Sequence, residues 1–333
     1  MVQETVTYQI ICGDMLDALA TMADSSAQLI IADIPYYKVK ALDWDRQWRT
    51  VAEYLAWVDR CAEQWQRVLA PNGSLYVFAA PQSREGCTMA ARVECQIAER
   101  FNVVNSLVWH KPVSRAQSAC KEALRGFFPA SERIIFAEHY GADGYAKGEA
   151  GSHFFQPVQR QIAEAARGES VNSLASRSEL PKTQLSHYFR RDANGWRIPS
   201  QAAIDAMGLA LSENLLRREY EDLRADYKDL RRPFSVSADV PYTDVWTFAT
   251  VQSYPGKHPC EKPLDLLRHI VRASSRPDDT VLDPCCGSGR SGVAAVMEGR
   301  NYIGCDISEH WAGVARQNIA EYQAQPLLIG AKL

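Results

Sequence analysis

The sequence lacks the marks of several large protein classes. Among its nine cysteines there is no C-x2-C pair, and no other spacing suits zinc, so no metal site is expected. The count is odd and Cys285 and Cys286 are adjacent, which does not read as a disulfide framework; most of these cysteines are expected as small buried residues. The longest apolar runs, such as Ser74 to Pro81, fall far short of the roughly 18 residues of a spanning helix, so no membrane association is expected. Met1-Val2-Gln3-Glu4-Thr5 has no basic stretch ahead of an apolar one, which argues against a secretory signal and for a cytoplasmic location. There is no internal repeat and no low-complexity tract. Neither sign of charge dominates: 37 basic and 40 acidic side chains leave −3, a balance that does not by itself point to a nucleic-acid partner.

What is present is an ordinary folded chain of 333 residues, 46% hydrophobic and 23% charged. That length suits two domains, or one large α/β domain with an insert. Charge is uneven along it. Residues 1–111 sum to −3, residues 112–235 to +2 and residues 236–333 to −2. Within 177–197, Arg177, Lys182, Arg190, Arg191 and Arg197 face only Glu179 and Asp192, so a polyanion would be met there.

Strands are predicted at Thr7–Cys12, Gln28–Ala32, Ser74–Ala79, Val103–Trp109, Ser131–Ala137, Thr280–Leu282 and Tyr302–Cys305. Helical spacing falls between them, most clearly from Val51 to Leu69, and Pro71-Asn72-Gly73 reads as a turn. This alternation predicts an α/β fold with a mostly parallel, seven-stranded sheet. It stops over about 140–235, which reads as a helical insert between residues 1–139 and 236–333 of one domain.

Two stretches carry chemistry. Asp283-Pro284-Cys285-Cys286-Gly287-Ser288-Gly289-Arg290-Ser291-Gly292 places G-x-G-x-x-G after a strand and before a helix, with Asp306 ending the next strand. Glycines let the backbone approach a ligand, and the acid can accept hydrogen bonds from a ribose diol; the pattern suits NAD and S-adenosylmethionine equally. Asp33-Ile34-Pro35-Tyr36 sits at the end of another strand, where open α/β sheets bind ligands, and offers a carboxylate, a Pro turn and an aromatic ring.

Together these segments resemble the amino-methylating DNA methyltransferases of the β group, in which a D-P-P-Y catalytic motif precedes the cofactor loop. Asp33–Tyr36 is similar to that motif and Asp283–Gly289 to the D-P-F-x-G-S-G loop. His258-Pro259-Cys260-Glu261-Lys262-Pro263 is similar to the H-P-T-E-K-P segment, and Cys12-Gly13-Asp14 to the opening Gly-Asp. Trp109-His110-Lys111-Pro112 and Ser131-Glu132-Arg133-Ile134 match two further family segments. Ile34 replaces the first Pro, which makes the turn less rigid, and Cys285 replaces the Phe.

The resemblance implies a circularly permuted Rossmann-like methyltransferase fold with the strands ending at Asp14 and Asp306 side by side. It implies S-adenosyl-L-methionine as cofactor, with Asp306 on the ribose diol and Asp14 on the adenine amine. Asp33, His258, Lys262, Asp283, Pro284, Cys285, Gly287, Ser288 and Gly289 would complete the cofactor site. It further implies a base flipped out of double-stranded DNA, stacked on Tyr36, with Asp33 and the carbonyl of Ile34, next to Pro35, accepting its amine hydrogens. Asp33, where cytosine-N4 enzymes more often have Ser, favours adenine N6. A homodimer and a cognate restriction endonuclease are partners the resemblance allows. An NAD-dependent oxidoreductase, or a non-catalytic helix-turn-helix protein on this scaffold, are the more distant readings.

The insert holds a helix-turn-helix pattern: Asn172–Ser178, a break at Glu179-Leu180-Pro181, then Lys182–Phe189. The turn lacks the usual Gly. Lys182, Arg190, Arg191 and Arg197 suit phosphates, and Thr183, Gln184 and His187 suit base edges.

Overall fold

A computed structural model of the chain describes residues 6–39, 42–80, 88–112, 130–140, 162–166, 168–189, 199–209, 232–234 and 243–324. The chain divides into two compact units, Met1–Tyr140 with Pro233–Leu333, and Gly141–Arg232. In the first half, β1 (Tyr8–Cys12), α1 (Met15–Ala20), β2 (Ala27–Ala32), α2 (Asp43–Arg46), α3 (Val51–Val68), β3 (Leu69–Ala79), α4 (Met89–Ala98), β4 (Phe101–His110) and β5 (Ser131–His139) follow in order. The second unit contributes α5 (Val171–Ser178), α6 (Lys182–Tyr188) and α7 (Gln201–Met207). The chain then returns with β6 (Val245–Thr247), α8 (Leu264–Ser274), β7 (Thr280–Asp283), α9 (Arg290–Met297), β8 (Asn301–Asp306) and α10 (Glu309–Ala324).

The strands form one sheet in the order β1-β8-β7-β2-β3-β5-β4-β6. All neighbours are parallel except β5, which runs against both β3 and β4. The sheet is therefore mostly parallel, as expected, but it has eight strands among the described residues where seven were predicted. The eighth, β6, is three residues long and pairs Val108 with Val245 at the sheet edge. Such a short run carries no alternation to read, and burial of Trp246 holds it down. Pro71–Gly73 also departs from expectation. These residues lie within β3, where the partners jump from Ala27↔Leu69 to Leu29↔Ser74, so the predicted turn is a bulge.

Period-2 burial divides the core. On β2 and β3, Ile30, Ala32, Leu75 and Val77 face one layer; Leu29, Ile31, Tyr76 and Phe78 face the other. The first layer is closed by α1, α3 and α4. Helix α3 buries Tyr54, Val58, Cys61, Ala62, Trp65 and Val68 along one stripe, and Thr50 caps it by accepting the Glu53 N–H at 3.1 Å. The second layer is closed by α8, α9 and α10, with Leu266, Ile270, Ala294 and Ile319 among its members. Gly292 on α9 lets that layer close: a Cβ there would lie 2.4 Å from Ile319 Cδ1 and 2.6 Å from Tyr302 Cε1.

Strands β1 and β8 are neighbours in register, Cys12 opposite Asp306. Gln323 Nε2 donates to the carbonyl of Val6 at 2.9 Å, joining the first and last described segments. The loops after β1, β8, β7 and β2 thus leave one edge of a parallel sheet.

The second unit has its own small core of Ile162, Leu174, Leu185, Tyr188, Ile204 and Met207. Ser170 and Ser200 cap α5 and α7. Glu179 stands in the left-handed region at φ 58, the conformation a Gly ordinarily supplies at such a turn. Among the described residues no helix is long and apolar enough to cross a membrane.

Candidate active site

Asp33 leaves β2 into a loop that is pinned from several sides. Ile34 buries its side chain in the first core layer, which ties the turn to the core. Tyr54 donates its hydroxyl to the carbonyl of Pro35 at 3.0 Å, and the N–H of Tyr36 donates to Asp45 Oδ1 at 2.8 Å. Asp45 itself is 2% exposed on α2.

Asp33 is met by Lys262, whose Nζ lies 2.7 Å from both carboxylate oxygens. The same ammonium donates to the Tyr36 hydroxyl at 3.2 Å and sits 5.3 Å from its ring centroid. The Tyr36 hydroxyl is 3.1 Å from Asp33 Oδ1 and 3.2 Å from Glu132 Oε2. Glu132 is also paired with Lys111 and lies 3.6 Å from Lys262 Nζ. Burial raises the Asp33 carboxyl, and Lys262 offsets this only in part. Burial works against the Lys262 ammonium, but Asp33 and Glu132 outweigh it and raise its pKa. Burial likewise works against the Glu132 carboxylate, yet Lys262 and Lys111 hold the group below its ordinary value. Burial, with Asp33 and Glu132, keeps the Tyr36 phenol protonated.

The Gly-rich loop lies across the sheet edge. Gly287 donates its N–H to Asp306 Oδ2 at 2.9 Å, and Asp306 Oδ1 accepts the Ser308 N–H at 2.8 Å. Gly289 has φ +76, and a Cβ there would lie 2.8 Å from Ala315 Cα, so the turn needs glycine twice over. Asp283 is a strut of the loop: it accepts from the Cys285 N–H at 3.0 Å and from the Ser291 hydroxyl. Burial pushes its pKa up to about 7. Ser288 turns its hydroxyl away to Glu261, 2.8 Å off, and Glu261 also accepts from Tyr254. Asp14 caps α1 through the Leu16 N–H at 2.8 Å. His258 stands between Trp44, stacked at 6.1 Å, and Trp311, edge-on at 4.5 Å; burial lowers its pKa and favours the neutral ring.

Two cavities follow from this arrangement. One, of about 180 Å³, is lined by Asp14, Asp33, His258, Lys262, Asp283 to Ser288, Asp306, Trp44 and Trp311. The other, of about 380 Å³, is lined by Trp109, Lys111, Ser131, Glu132 and Lys257. Tyr36, Cys260, Glu261 and Lys262 line both. Thus the structure gathers at one edge all the cofactor and catalytic residues predicted from sequence, apart from Gly289, which shapes the loop from behind. Asp45, Trp44, Trp311, Glu132 and Lys111 belong to the same site, in roles that sequence reasoning alone misses. The Asp43-Trp44-Asp45 run, between a Pro turn and a helix, is the signal that would have found two of them.

Of the insert residues, Lys182 and Thr183 are exposed on α6, and Gln184 and His187 are half-buried. Gln184 donates its amide to the Tyr188 hydroxyl at 2.6 Å. Arg190, Arg191 and Arg197 lie outside the described residues. Arg177 is tied within its own unit, to the carbonyl of Met207 at 2.6 Å.

This sheet order, with a glycine loop bonded to the acid of the next strand, defines a Rossmann-like methyltransferase fold. Residues 27–317 match the N6/N4 family model described as DNA methylase, and the chain belongs to that family. The type II methyltransferase M2.MboI of Moraxella bovis is 43% identical over 319 residues, 90% of this chain and 82% of that protein. The DNA adenine methyltransferase YhdJ of Escherichia coli (strain K12) is 25% identical over 321 residues, 96% of this chain and 85% of the relative. Among solved structures, the PvuII DNA methyltransferase (cytosine-N4-specific) is similar with a TM-score of 0.56 and 15% identity, covering 98% of this chain and 89% of that one.

Proposed function

We propose that the chain transfers a methyl group from S-adenosyl-L-methionine to the N6 amine of an adenine flipped out of double-stranded DNA. The observation that carries this reading is the place of Asp33 and Tyr36: they stand beside one cavity fitted to a nucleoside ligand, and Tyr36 also walls a second. The first fits the cofactor. Asp306 has used one acceptor site on each oxygen and retains lone pairs for a ribose diol. Asp14 would hold the adenine amine, and His258 with the Asp283–Gly289 loop the methionine part. When bound, the cofactor would supply an electrophilic methyl group, whose bond to the sulfonium sulfur breaks as the new bond to nitrogen forms and leaves a neutral thioether.

The rest is done by the chain. An exocyclic amine cannot reach such a methyl from inside a duplex, so the base enters the second cavity and stacks on Tyr36. Asp33 and the carbonyl of Ile34 accept its two amine hydrogens, which frees the nitrogen lone pair for the methyl carbon. As the N–C bond forms, Asp33 takes the proton that the amine sheds. Its raised pKa suits it to that task. The gain comes from positioning and preorganised acceptors.

A carboxylate at position 33 and a relative named as an adenine enzyme, matched over 96% of this chain, support adenine over cytosine N4, the second reading. The second unit meets DNA through α6, where Lys182 is exposed for a phosphate and Thr183 for a base edge. The test is incubation with labelled S-adenosylmethionine and duplex DNA, then nucleoside mass spectrometry. N6-methyladenine is expected. N4-methylcytosine would overturn the base assignment, and an unlabelled product pool would overturn the reaction.

A further inference from the structure

We infer that Glu132 is a positioning residue for methyl transfer: it draws the Tyr36 hydroxyl proton to itself and so keeps that proton off Asp33. This inference rests on the reaction proposed above. An ammonium has three hydrogens and a phenol has one. Lys262 directs two of its hydrogens at Asp33, 2.7 Å to each oxygen, and its third at the Tyr36 oxygen at 3.2 Å. The single Tyr36 hydrogen then has two candidate acceptors, Asp33 Oδ1 at 3.1 Å and Glu132 Oε2 at 3.2 Å. Asp33 Oδ1 already accepts from the ammonium at hydrogen-bond distance. Glu132 Oε2 is only grazed by it, at 3.6 Å. The distances are nearly equal, so the less occupied oxygen accepts the hydrogen bond, and the phenol keeps its proton.

Glu132 is held for this. It projects from β5, 96 residues away in sequence, and its other oxygen is paired with Lys111 from the end of β4. Its side chain is only 15% exposed. With the Tyr36 N–H on Asp45, the ring is fixed at both ends, at its backbone and at its hydroxyl. Removing Glu132 would return the phenol proton to Asp33. It would then compete with the target amine for the same carboxylate, and the ring would lose its outer anchor.

A double-mutant cycle tests this with kinetics and calorimetry on the full chain. Glu132→Ala should lower kcat by about 10- to 100-fold, the scale of a mispositioned catalytic group, while the dissociation constant for S-adenosylmethionine stays within about twofold. In a Tyr36→Phe background, which has no phenol proton to direct, the same change should cost only about threefold, because the two residues act as one unit. Glu132→Gln, whose amide oxygen can still accept, should recover part of kcat; this variant also guards against an Ala variant that fails to fold. Equal losses in both backgrounds, or an unchanged kcat for Glu132→Ala, would overturn the inference while leaving the methyltransferase reading standing. A wild-type chain that methylates no DNA would bring down that reading first, and this one with it.

Discussion

Lys262 reaches Asp33 from 229 residues away in sequence and holds both of its carboxylate oxygens at 2.7 Å. The ammonium favours the ionised carboxylate, while burial opposes it and leaves the group above the ordinary aspartate value of 3.8. A carboxylate whose pKa is raised is lost as pH falls through that raised value. Turnover should therefore fall on the acid side at a higher pH than an exposed aspartate would give. Lys262→Met removes the opposing cation, so Asp33 should rise further and the acid limb of kcat should move to higher pH. A profile that does not move would mean that Asp33 is not the group being titrated.

Asp33→Ala should abolish nearly all turnover and cost cofactor affinity far less, because its contact with the target amine strengthens as the new bond forms. Asp33→Asn should keep a little activity through its amide oxygen. Single-turnover assays alongside calorimetry separate the two effects.

Asp306→Ala should weaken S-adenosylmethionine binding by about 1.5–3 kcal/mol, the worth of a hydrogen bond to a charged acceptor. It also frees the Gly287 N–H from its 2.9 Å partner, so the loop itself should loosen. Isothermal titration gives the first number, and hydrogen exchange at Gly287 reports the second.

Asp45→Ala leaves the part-buried N–H of Tyr36 without the carboxylate it donates to. The expected cost is about 1–3 kcal/mol of stability, read from urea midpoints, together with a lower kcat. A variant as stable and as fast as wild type would show that the catalytic loop holds its shape without α2.

On the second unit, Lys182→Ala should reduce the salt dependence of DNA binding by about one unit of slope if it contacts one phosphate. Filter binding over a range of salt measures this directly. Affinity should fall alike for all sequences, since a phosphate contact carries no base information.

Much of this was legible in the sequence because it was local. Alternation marks most of the sheet, and the glycine spacing with Asp306 places the loop. What was missed depends on pairing across the sheet. Glu132 and Lys111 stood in segments already singled out, yet their bearing on Tyr36 follows only from β5 lying between β3 and β4. Asp45 is nine residues from Tyr36, but its use depends on α2 folding back over the loop. Pro71–Gly73 carries every mark of a turn and instead bulges within β3, because Leu69 and Ser74 both find partners on β2.

The cysteines of the glycine loop have a consequence of another kind. Cys285 and Cys286 line the cavity in which a sulfonium methyl would lie. A thiolate there would be a better nucleophile than any amine, and it would alkylate the enzyme in place of its substrate. Burial, with Asp283 and Asp306 close by, holds both thiols far above the ordinary cysteine value and therefore protonated. The same anionic surroundings that suit a cationic ligand thus keep both thiols in their less nucleophilic form.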